Sequence, residues 1–286
     1  MLLSIFLSFV ILSIVIYRAN KNTHNVVINK IDVNKNLNAA TNVTSPSITI
    51  LHLSDLHLEN ISISPEQLFL KLELEKIDLI AITGDFLDRK RSIPRLIPYL
   101  NVLNKLNVEY GMYAIFGNHD YVLKKRDFST LKKTLEEYGC KTMQNENATI
   151  IVEGKKLNII GIDDFSTKRS DLDLSYKNLG EGYNLVLTHD PNVVLHMDKY
   201  HFDYLLSGHF HGGQIHWPKP YHLAKMGKLA RLNIIKGFHT VNGKPYYISE
   251  GLGQTGVNIR IGSFPEITIH KINMQPLESK IASKAV

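Results

Sequence analysis

The segment SITILHLSDLH, residues 47–57, predicts a buried β-strand that ends in polar side chains. Its apolar residues run as far as Leu53, and Asp55 and His57 follow at once. The same layout returns in IDLIAITGDFLD, residues 77–88, and in YGMYAIFGNHD, residues 110–120. Short apolar runs that end at turn residues are typical of fully buried strands. The first part of the chain therefore contains three buried strands, each followed by Asp, Asn or His.

Helical patterns separate these strands. Residues 65–76, 93–106 and 125–138 have the apolar periodicity of amphipathic helices. Three successive strand–helix units predict a right-handed parallel sheet with helices on its faces.

The second half of the chain is rich in strands. The predicted strands are residues 148–152, 156–161, 183–188, 202–207, 246–249 and 266–270. The layout predicts an α/β fold with two sheets packed face to face and flanked by helices. We expect one folded domain over residues 46–274, followed by a polar tail over residues 275–286.

Polar motifs follow five of the apolar strands. In open α/β sheets, sites gather in the crevice outside the carboxyl ends of the strands. Packing alone does not explain five strands that each deliver Asp, His or Asn to one edge. Carboxylate and amide oxygens combined with imidazole nitrogens suit divalent transition metals. The candidate ligands are Asp55, His57, Asp85, Asn118, His189, His209 and His211.

These motifs resemble the signature of the calcineurin-like metallophosphoesterase family. The matching blocks are Asp-x-His at 55–57, Gly-Asp-x-x-Asp at 84–88, Gly-Asn-His-Asp at 117–120, Thr-His-Asp at 188–190 and Gly-His-x-His at 208–211. All five occur in the family's order, between residue 50 and about residue 215. One block alone arises easily by chance, whereas five in order are specific. The resemblance implies a four-layer fold in which two mixed β-sheets form a sandwich flanked by helices.

The resemblance also implies a dinuclear metal site. One metal would be held by Asp55, His57 and His211, the other by Asn118, His189 and His209, with Asp85 as the bridge. Two cations roughly 3.5–4 Å apart clamp phosphoryl oxygens and activate a bridging hydroxide for in-line attack. We expect two divalent ions, with Mn first and Fe or Zn as alternatives, since mixed nitrogen and oxygen ligands suit all three.

Three further residues near the motifs are candidates for catalysis or substrate binding. The resemblance places His119 against the phosphate rather than on a metal, with Asp88 orienting its imidazole. Arg89 follows Asp88, as in phosphoprotein phosphatases, where that arginine grips phosphate, but Lys90 replaces the expected glycine. The alternatives are a local turn for Asp88 and a solvated surface role for Arg89. Asp120 is expected to be structural.

Each motif residue taken singly has a more common interpretation. Asp85 or Asn118 alone would usually cap a turn, and His57 or His189 alone would usually be a hydrogen-bonded polar residue. All five motifs in order favour a metal site over these single-residue roles. The histidines outside the motifs, among them His52 and His270, are expected to have structural or surface roles.

The first seventeen residues carry no charged side chain and predict a membrane anchor. A helix of that length spans about 25 Å, slightly less than a hydrocarbon core of about 30 Å. A cleaved signal peptide is the alternative, but the start lacks Lys and Arg, and residues 16–20 are a poor cleavage site. Residues 18–45, rich in Asn, Lys, Thr and Ser, predict a flexible linker.

The charge after the apolar segment predicts a cytoplasmic catalytic domain. The residues after the apolar segment include four basic ones and one acid: Arg18, Lys21, Lys30, Lys35 and Asp32. By the positive-inside rule, this excess of positive charge favours a single-pass protein whose catalytic domain lies on the cytoplasmic side. The net charge of +6 suits an anionic substrate, a nucleic acid or an anionic membrane surface. A single cysteine, Cys140, excludes an internal disulfide and a multi-cysteine zinc site.

The later sequence narrows the expected substrate. Residues 212–215, 251–253 and 265–267 resemble the membrane-anchored bacterial branch that includes UDP-2,3-diacylglucosamine hydrolases of lipid A synthesis. The implied reaction is pyrophosphate cleavage that releases UMP. Basic and apolar residues alternate over residues 219–236, which suits an anionic lipid surface or, alternatively, a solvated loop.

Two other functions remain open at this point. One is a general phosphodiesterase or nuclease on the same metal site, although the chain has no stacking motif and we expect no nucleic-acid partner. The other is a non-catalytic scaffold, which degenerate ligand positions would mark.

Overall fold

Two mixed six-stranded sheets face each other in the computed structural model, which describes residues 1–37 and 45–274. The strands, numbered in chain order, are β1 (Val27–Asp32), β2 (Ser47–Leu53), β3 (Leu79–Thr83), β4 (Met112–Ile115), β5 (Cys140–Thr142), β6 (Glu146–Val152), β7 (Lys155–Gly161), β8 (Tyr183–Leu187), β9 (Tyr204–Ser207), β10 (Gly237–Val241), β11 (Lys244–Ile248) and β12 (Glu266–Asn273). The first sheet has the order β1-β12-β2-β3-β4-β5, and the second has the order β10-β11-β9-β8-β7-β6.

Helices cover the outer faces of the sandwich. The α-helices are α1 (Leu2–Asn22), α2 (Val33–Asn36), α3 (Pro65–Leu72), α4 (Ile93–Lys105), α5 (Lys125–Glu137), α6 (Leu172–Ser175) and α7 (Lys228–Arg231). Local sequence explains where α3 begins, because Ser64 and Gln67 form a reciprocal capping box and Pro65 occupies the first turn.

The side chains of β2 show how one strand serves two layers. Ile48 and Ile50 pack between the sheets, against residues such as Leu185 of the second sheet. Leu51 and Leu53 point to the opposite face, into the core beneath α3, α4 and α5. Successive side chains of a strand alternate between faces, so a strand buried on both sides is mainly apolar. The predicted four-layer α/β fold is confirmed.

Parallel pairing brings the polar motifs to one edge. β2, β3 and β4 are parallel neighbours, and so are β7, β8 and β9. Their carboxyl ends carry the motif turns, and the two sheets meet there through a hydrogen bond between the His189 ring and the Thr83 carbonyl.

The expectation of a flexible linker over residues 18–45 is wrong as far as residue 36. The first helix continues to Asn22, and β1 pairs in parallel with β12 from Val27 to Asp32. Val33 is then buried, and Asn34 accepts a hydrogen bond from the backbone of Asn273 at 3.0 Å. The edge strand carries Asn29, Lys30 and Asp32, and Lys30 is exposed, so its composition resembles that of a tether. Residues 38–44 and the predicted tail, 275–286, lie outside the described residues.

The N-terminal helix is long and apolar enough to cross a membrane. Its most apolar stretch has a mean hydropathy of 2.3 and is only 6% buried. At 1.5 Å per residue its 21 residues extend about 32 Å, and the last turn of this length packs on the catalytic domain. The helix therefore runs five residues beyond the predicted end of the anchor at Tyr17.

Candidate metal centre

The backbone of the motif turns adopts an uncommon conformation. Left-handed φ values are rare for residues other than glycine, and Asp, Asn and His adopt them most readily. Five candidate ligands have them: Asp55 (50°), His57 (36°), Asp85 (55°), His209 (76°) and His211 (51°). The chain thus leaves each strand through a sharp turn that directs these side chains across the sheet edge.

Asp55, His57 and His211 form the first ligand group. Their ligand atoms lie within 4.8 Å of one another, and all three residues are buried. The His211 Nε2 atom lies 3.2 Å from Asp55 Oδ1. Burial opposes ionisation of Asp55, but His211, His189 and His57 hold the pKa of its carboxyl well below the usual value. This group is a buried anionic carboxylate facing two imidazoles, a donor set that suits a divalent metal.

Asp85, His189 and His209 form the second group, again within 4.8 Å. The His189 Nδ1 atom lies 2.7 Å from the Thr83 carbonyl oxygen, which can only accept, so Nδ1 carries a proton. His189 Nε2 then points at Asp85 Oδ2, 3.0 Å away, and at His209 Nδ1, 3.2 Å away. A histidine fixed through its other ring nitrogen is the usual arrangement at protein metal sites.

Asp85 lies between the two groups. Its Oδ2 atom is 3.0 Å from His189 Nε2 and 3.5 Å from His57 Nε2. Its Oδ1 atom accepts a hydrogen bond from the His119 backbone at 2.9 Å. Burial opposes its charge, but His189 and the other imidazoles lower the pKa of the carboxyl. Its Oδ2 atom thus faces one histidine of each ligand group within 3.5 Å.

Asn118 contributes a side-chain oxygen that needs a partner. Its Oδ1 atom is buried and accepts no hydrogen bond from the described residues. The Nε2 atom of His57 is likewise buried and has no hydrogen-bond partner among the described residues. A buried polar atom without a partner is costly, and a bound cation removes that cost. The residues present therefore fit two divalent ions.

Asp88 connects the first group to His119. Its Oδ1 atom lies 3.0 Å from His57 Nδ1 and 2.9 Å from His119 Nδ1. Burial lowers the pKa of His119, but the hydrogen bond to Asp88 and the charges of Asp85 and Asp88 raise it to about 9. The expected pair of Asp88 and His119 is thus present, and the contact with His57 is an addition that the sequence did not indicate. The His119 side chain is 31% exposed at the mouth of the site.

Arg89 lies at the rim. It is exposed, and its guanidinium makes no hydrogen bond or ion pair with the residues that the structure describes. The backbone N–H groups of Asp88 and Arg89 both donate to the Glu59 carboxylate at 3.0 Å. The Arg89 backbone is therefore held in place, while its side chain is free to bind a ligand. Its role in substrate binding stays a prediction.

Asp120 organises the turns rather than the chemistry. Its carboxylate accepts hydrogen bonds at 2.9 Å from the backbone N–H groups of Asp85, Phe86 and Gly117. Burial, and then the charge of Asp85, raise its pKa to about 7. The carboxyl thus ties the turn after β3 to the turn after β4, as expected of a structural residue.

Arg260 supports the site in a way that the sequence did not reveal. Its side chain is fully buried and donates to the carbonyl oxygens of Glu250, Gly251, Gly253 and Phe264 at 2.7–3.0 Å. These contacts hold the loop after β11 against the motif turns. The only sequence signal was the pair of glycines at 251 and 253.

Those two glycines are needed because the loop approaches the first ligand group closely. A Cβ at Gly251 would lie 2.7 Å from the Asp55 Cβ atom, and one at Gly253 would lie 1.9 Å from the Leu56 carbonyl oxygen. Arg260 and the loop thus form the back wall of the metal centre.

Comparisons with known proteins agree with this geometry. Residues 48–213 match the calcineurin-like phosphoesterase family. The chain is 60% identical over 271 residues to the uncharacterized metallophosphoesterase YkoQ of Bacillus subtilis, covering 94% of this chain and 99% of YkoQ. It is 28% identical over 226 residues to YkuE of the same organism, covering 77% of each chain.

A more distant relative has a named substrate. The UDP-2,3-diacylglucosamine pyrophosphatase LpxG of Chlamydia trachomatis is 26% identical over 287 residues, covering 80% of this chain and 84% of LpxG. The family match spans more than half of the chain and all five motifs. The chain therefore belongs to the calcineurin-like phosphoesterase family, and it is a metal-dependent phosphoester hydrolase.

Proposed function

We propose that the protein hydrolyses a membrane-associated phosphoester at a dinuclear metal centre. The first metal would be held by Asp55, His57 and His211, the second by Asn118, His189 and His209, and Asp85 would bridge them. The observation that carries this proposal is the meeting of two buried groups of Asp and His around Asp85. Mn is the metal that we expect, with Fe or Zn as alternatives.

Bound divalent ions would supply Lewis-acid charge and a nucleophilic water at neutral pH. The residues of the chain do the remaining work. His119, partly exposed at the mouth, is placed to stabilise charge on the phosphate or to protonate the leaving oxygen. Asp88 holds its imidazole in place. Arg89, at the rim, is a candidate for binding the phosphate of the incoming substrate.

The proposed substrate is a lipid-linked phosphoester such as UDP-2,3-diacylglucosamine, cleaved at its pyrophosphate to release UMP. The apolar helix α1 supports this choice because it would keep the catalytic domain at the bilayer surface. LpxG, which carries that substrate in its name, supports it at 26% identity.

The helix is proposed to stay on the mature protein as a single-pass anchor, with the catalytic domain on the cytoplasmic face. Its last turn is hydrogen-bonded to the catalytic domain, so cleavage there would remove contacts of the folded state. The test is cell fractionation of the full chain. We expect it in the membrane fraction at its full mass, and a soluble, shortened chain would contradict the anchor.

The substrate is tested with purified, metal-loaded full-length protein in detergent micelles. It is incubated with UDP-2,3-diacylglucosamine and Mn²⁺, and UMP release is measured. His119→Ala serves as the matched inactive variant. UMP release by the native chain alone supports the proposal.

A different product would change the proposed substrate. Rapid hydrolysis of bis-p-nitrophenyl phosphate or of a nucleic acid, without UMP from the lipid, would leave the metal centre in place and overturn the lipid substrate. No hydrolysis of any ester by protein that holds stoichiometric metal would overturn the whole function.

A further inference from the structure

The last turn of α1 is built into the catalytic domain. Ala19 is 2% exposed, and its carbonyl oxygen accepts a hydrogen bond from the Arg260 backbone at 2.9 Å. The side chains of Asn20 and Asn22 donate to the carbonyl oxygens of Asn258 and Arg260 at 2.8 and 3.0 Å. The loop that braces the metal centre therefore also holds the end of the apolar helix.

The connection from α1 to the first sheet is short and packed. Four residues, Thr23 to Val26, separate the end of the helix from β1. Thr23 is fully buried and accepts a hydrogen bond from the Ser62 hydroxyl at 2.8 Å, and Val26 is 7% exposed. A domain tied in this way cannot swing away on a tether. If α1 spans a bilayer, the surface around its end lies at the headgroups.

A second segment lies beside the end of α1. The Gln214 side chain donates to the carbonyl oxygens of Thr255 and Val257 at 3.0 Å, and the His216 backbone donates to Ile261 at 2.7 Å. Ile261 directly follows Arg260, the partner of Ala19. Trp217, next along the chain, is therefore close to the end of the helix.

The apolar side chains of this region face outward. Trp217 is 78% exposed, and Val257 is 55% exposed. Single exposed apolar side chains are common on protein surfaces, so these two residues support a membrane contact only together with their position beside the end of α1. Tryptophan in particular is enriched at the interface between a membrane and water.

The charge of this region complements an anionic surface. Lys219, Lys225, Lys228 and Arg231 are all exposed. No Asp or Glu occurs from residue 204 to residue 249 in the sequence. Basic side chains beside a membrane helix are attracted to anionic phospholipids within about one Debye length, roughly 10 Å.

We propose that residues 255–262 and 214–231, here called the docking surface, lie against the headgroups of an anionic phospholipid bilayer. Three properties of one region carry this inference: continuity with α1, exposed apolar side chains, and uncompensated positive charge. The inference rests on the membrane anchoring proposed above. It adds that the catalytic domain sits flat on the bilayer in a fixed orientation.

The docking surface also lies next to the metal centre in the sequence. His211 of the first ligand group lies three residues before Gln214, so the metal centre adjoins the docking surface along the chain. A phosphoester whose acyl chains remain in the bilayer would then reach the site without leaving the membrane.

The single tryptophan of the chain provides a direct test. Full-length protein is reconstituted into vesicles of phosphatidylglycerol and phosphatidylcholine, in which the phosphatidylcholine is brominated near the headgroup end of its acyl chains. Because bromine quenches nearby tryptophan, we expect the Trp217 emission to fall at least about twofold relative to unbrominated vesicles, as for an interfacial tryptophan.

A matched control moves the tryptophan to the opposite end of the sandwich. Ile151 is 56% exposed on β6 and pairs with Lys156 at the start of β7, away from the carboxyl ends of the strands. The double variant W217F/I151W should show no quenching. Equal emission from Trp217 in the two kinds of vesicle would overturn the docking surface.

The charge contribution is tested separately. Changing Lys219, Lys225, Lys228 and Arg231 together to Gln should reduce quenching of Trp217 in anionic vesicles. Changing Lys141, Lys155 and Lys156 to Gln, on exposed positions elsewhere, should leave it unaltered. Full quenching in the first variant would overturn the role of the basic residues.

Hydrolysis of bis-p-nitrophenyl phosphate is measured in the same vesicles. Activity without quenching would overturn the docking surface and spare the proposed hydrolysis. Quenching without activity in metal-loaded protein would overturn the proposed hydrolysis and spare the docking surface.

Discussion

The molecule buries histidines in two regions that look alike in composition and differ in chemistry. One is the metal centre. The other lies between the sheets and consists of His52, Tyr204, Tyr247, Glu266 and His270, here called the inter-sheet cluster. Both regions combine imidazoles with at least one carboxyl group. Only the first gathers three Asp or His ligand atoms within 4.8 Å among the described residues.

Hydroxyl groups dominate the inter-sheet cluster. His270 Nδ1 lies 2.9 Å from the Tyr204 hydroxyl, and His52 Nε2 lies 2.8 Å from Thr83 Oγ1. Burial lowers the pKa of His52 to about 3 and holds the pKa of His270 well below its usual value. Burial also raises the pKa of Glu266, which accepts from Tyr247. The imidazoles of His52 and His270 are therefore neutral at pH 7.

An unpartnered ring nitrogen does not separate the two regions. His52 Nδ1 and His270 Nε2 have no hydrogen-bond partner among the described residues, and the same is true of His57 Nε2. The difference is the carboxylate. Asp55 and Asp85 are buried yet ionised, and they face several imidazoles at once. A buried negative charge requires a cation, whereas a neutral imidazole requires only a hydroxyl.

The sharpest test of the comparison removes one carboxylate from each region. Asp85→Asn should lower kcat/KM for bis-p-nitrophenyl phosphate by at least about a thousandfold, since it removes the charge shared by both ligand groups. Glu266→Gln should leave kcat/KM within about threefold because that carboxyl bonds to the hydroxyls of Tyr247 and Thr268 rather than to a candidate ligand. Similar activities of the two variants would contradict the distinction.

Metal removal should affect only one region. Excess chelator should lower the free energy of unfolding of the native chain by about 2.7 kcal/mol for each bound ion if metal was present at a hundred times its Kd. Urea unfolding in detergent measures it. The decrease should persist in His270→Gln and largely vanish in Asp85→Asn. A chelator effect that His270→Gln abolishes would place a metal in the inter-sheet cluster.

Asp88 is expected to act by positioning. Asp88→Asn should lower kcat about 10- to 100-fold, the usual cost of losing the partner that orients a site histidine. The decrease should remain at saturating Mn²⁺, because His119 as well as His57 depends on this carboxylate. Asp173→Asn, at an exposed carboxyl that accepts from Tyr200, is the matched control. Full recovery of kcat with added metal would limit Asp88 to holding His57.

The inter-sheet cluster should show itself in the pH dependence of stability. The folded-state pKa of His270 lies well below 6.5, so below pH 6.5 the unfolded chain takes up a proton that the folded chain does not. Stability is therefore lost as the pH falls. His270→Gln should reduce this loss by roughly 1.5 kcal/mol between pH 6.5 and pH 5.

The difference in pH dependence between the native chain and His270→Gln reports on His270 alone. The contributions of His52, Glu266 and the metal centre are present in both proteins. Urea unfolding at each pH gives the values. Parallel curves for His270→Gln and the native chain would show that folding does not lower the pKa of His270.

The sequence predicted the inner strands well and the edge strands poorly. β2 has the predicted bounds, and β3, β4, β8 and β9 differ by a few residues at most. The sequence did not predict β1, β5 or β10, which are three of the four strands at the sheet edges. An inner strand is buried on both faces and reads as an apolar run, whereas an edge strand is partly solvated. The partner of β1 also lies more than two hundred residues away in the chain.

The candidate ligands were predictable because each comes directly after a buried strand. Their supports were not, since Arg260 and Glu59 act through backbone atoms of distant segments, and no local pattern marks such contacts. The packing of the end of α1 could not be predicted for the same reason, since it also depends on contacts with a distant segment. Its Asn and Ala residues look like a linker until the loop after β11 packs against them.

The left-handed turns at five candidate ligands have a consequence for directed evolution. Each such position holds a backbone shape that costs a residue other than glycine on the order of 1–3 kcal/mol. β-branched replacements would add strain there even if their side chains fitted the space. A library that randomises these codons should therefore return Asn, Gly and Asp among folded survivors, and almost no Val or Ile. Transplanting the ligands into another scaffold would require copying the turns together with the side chains.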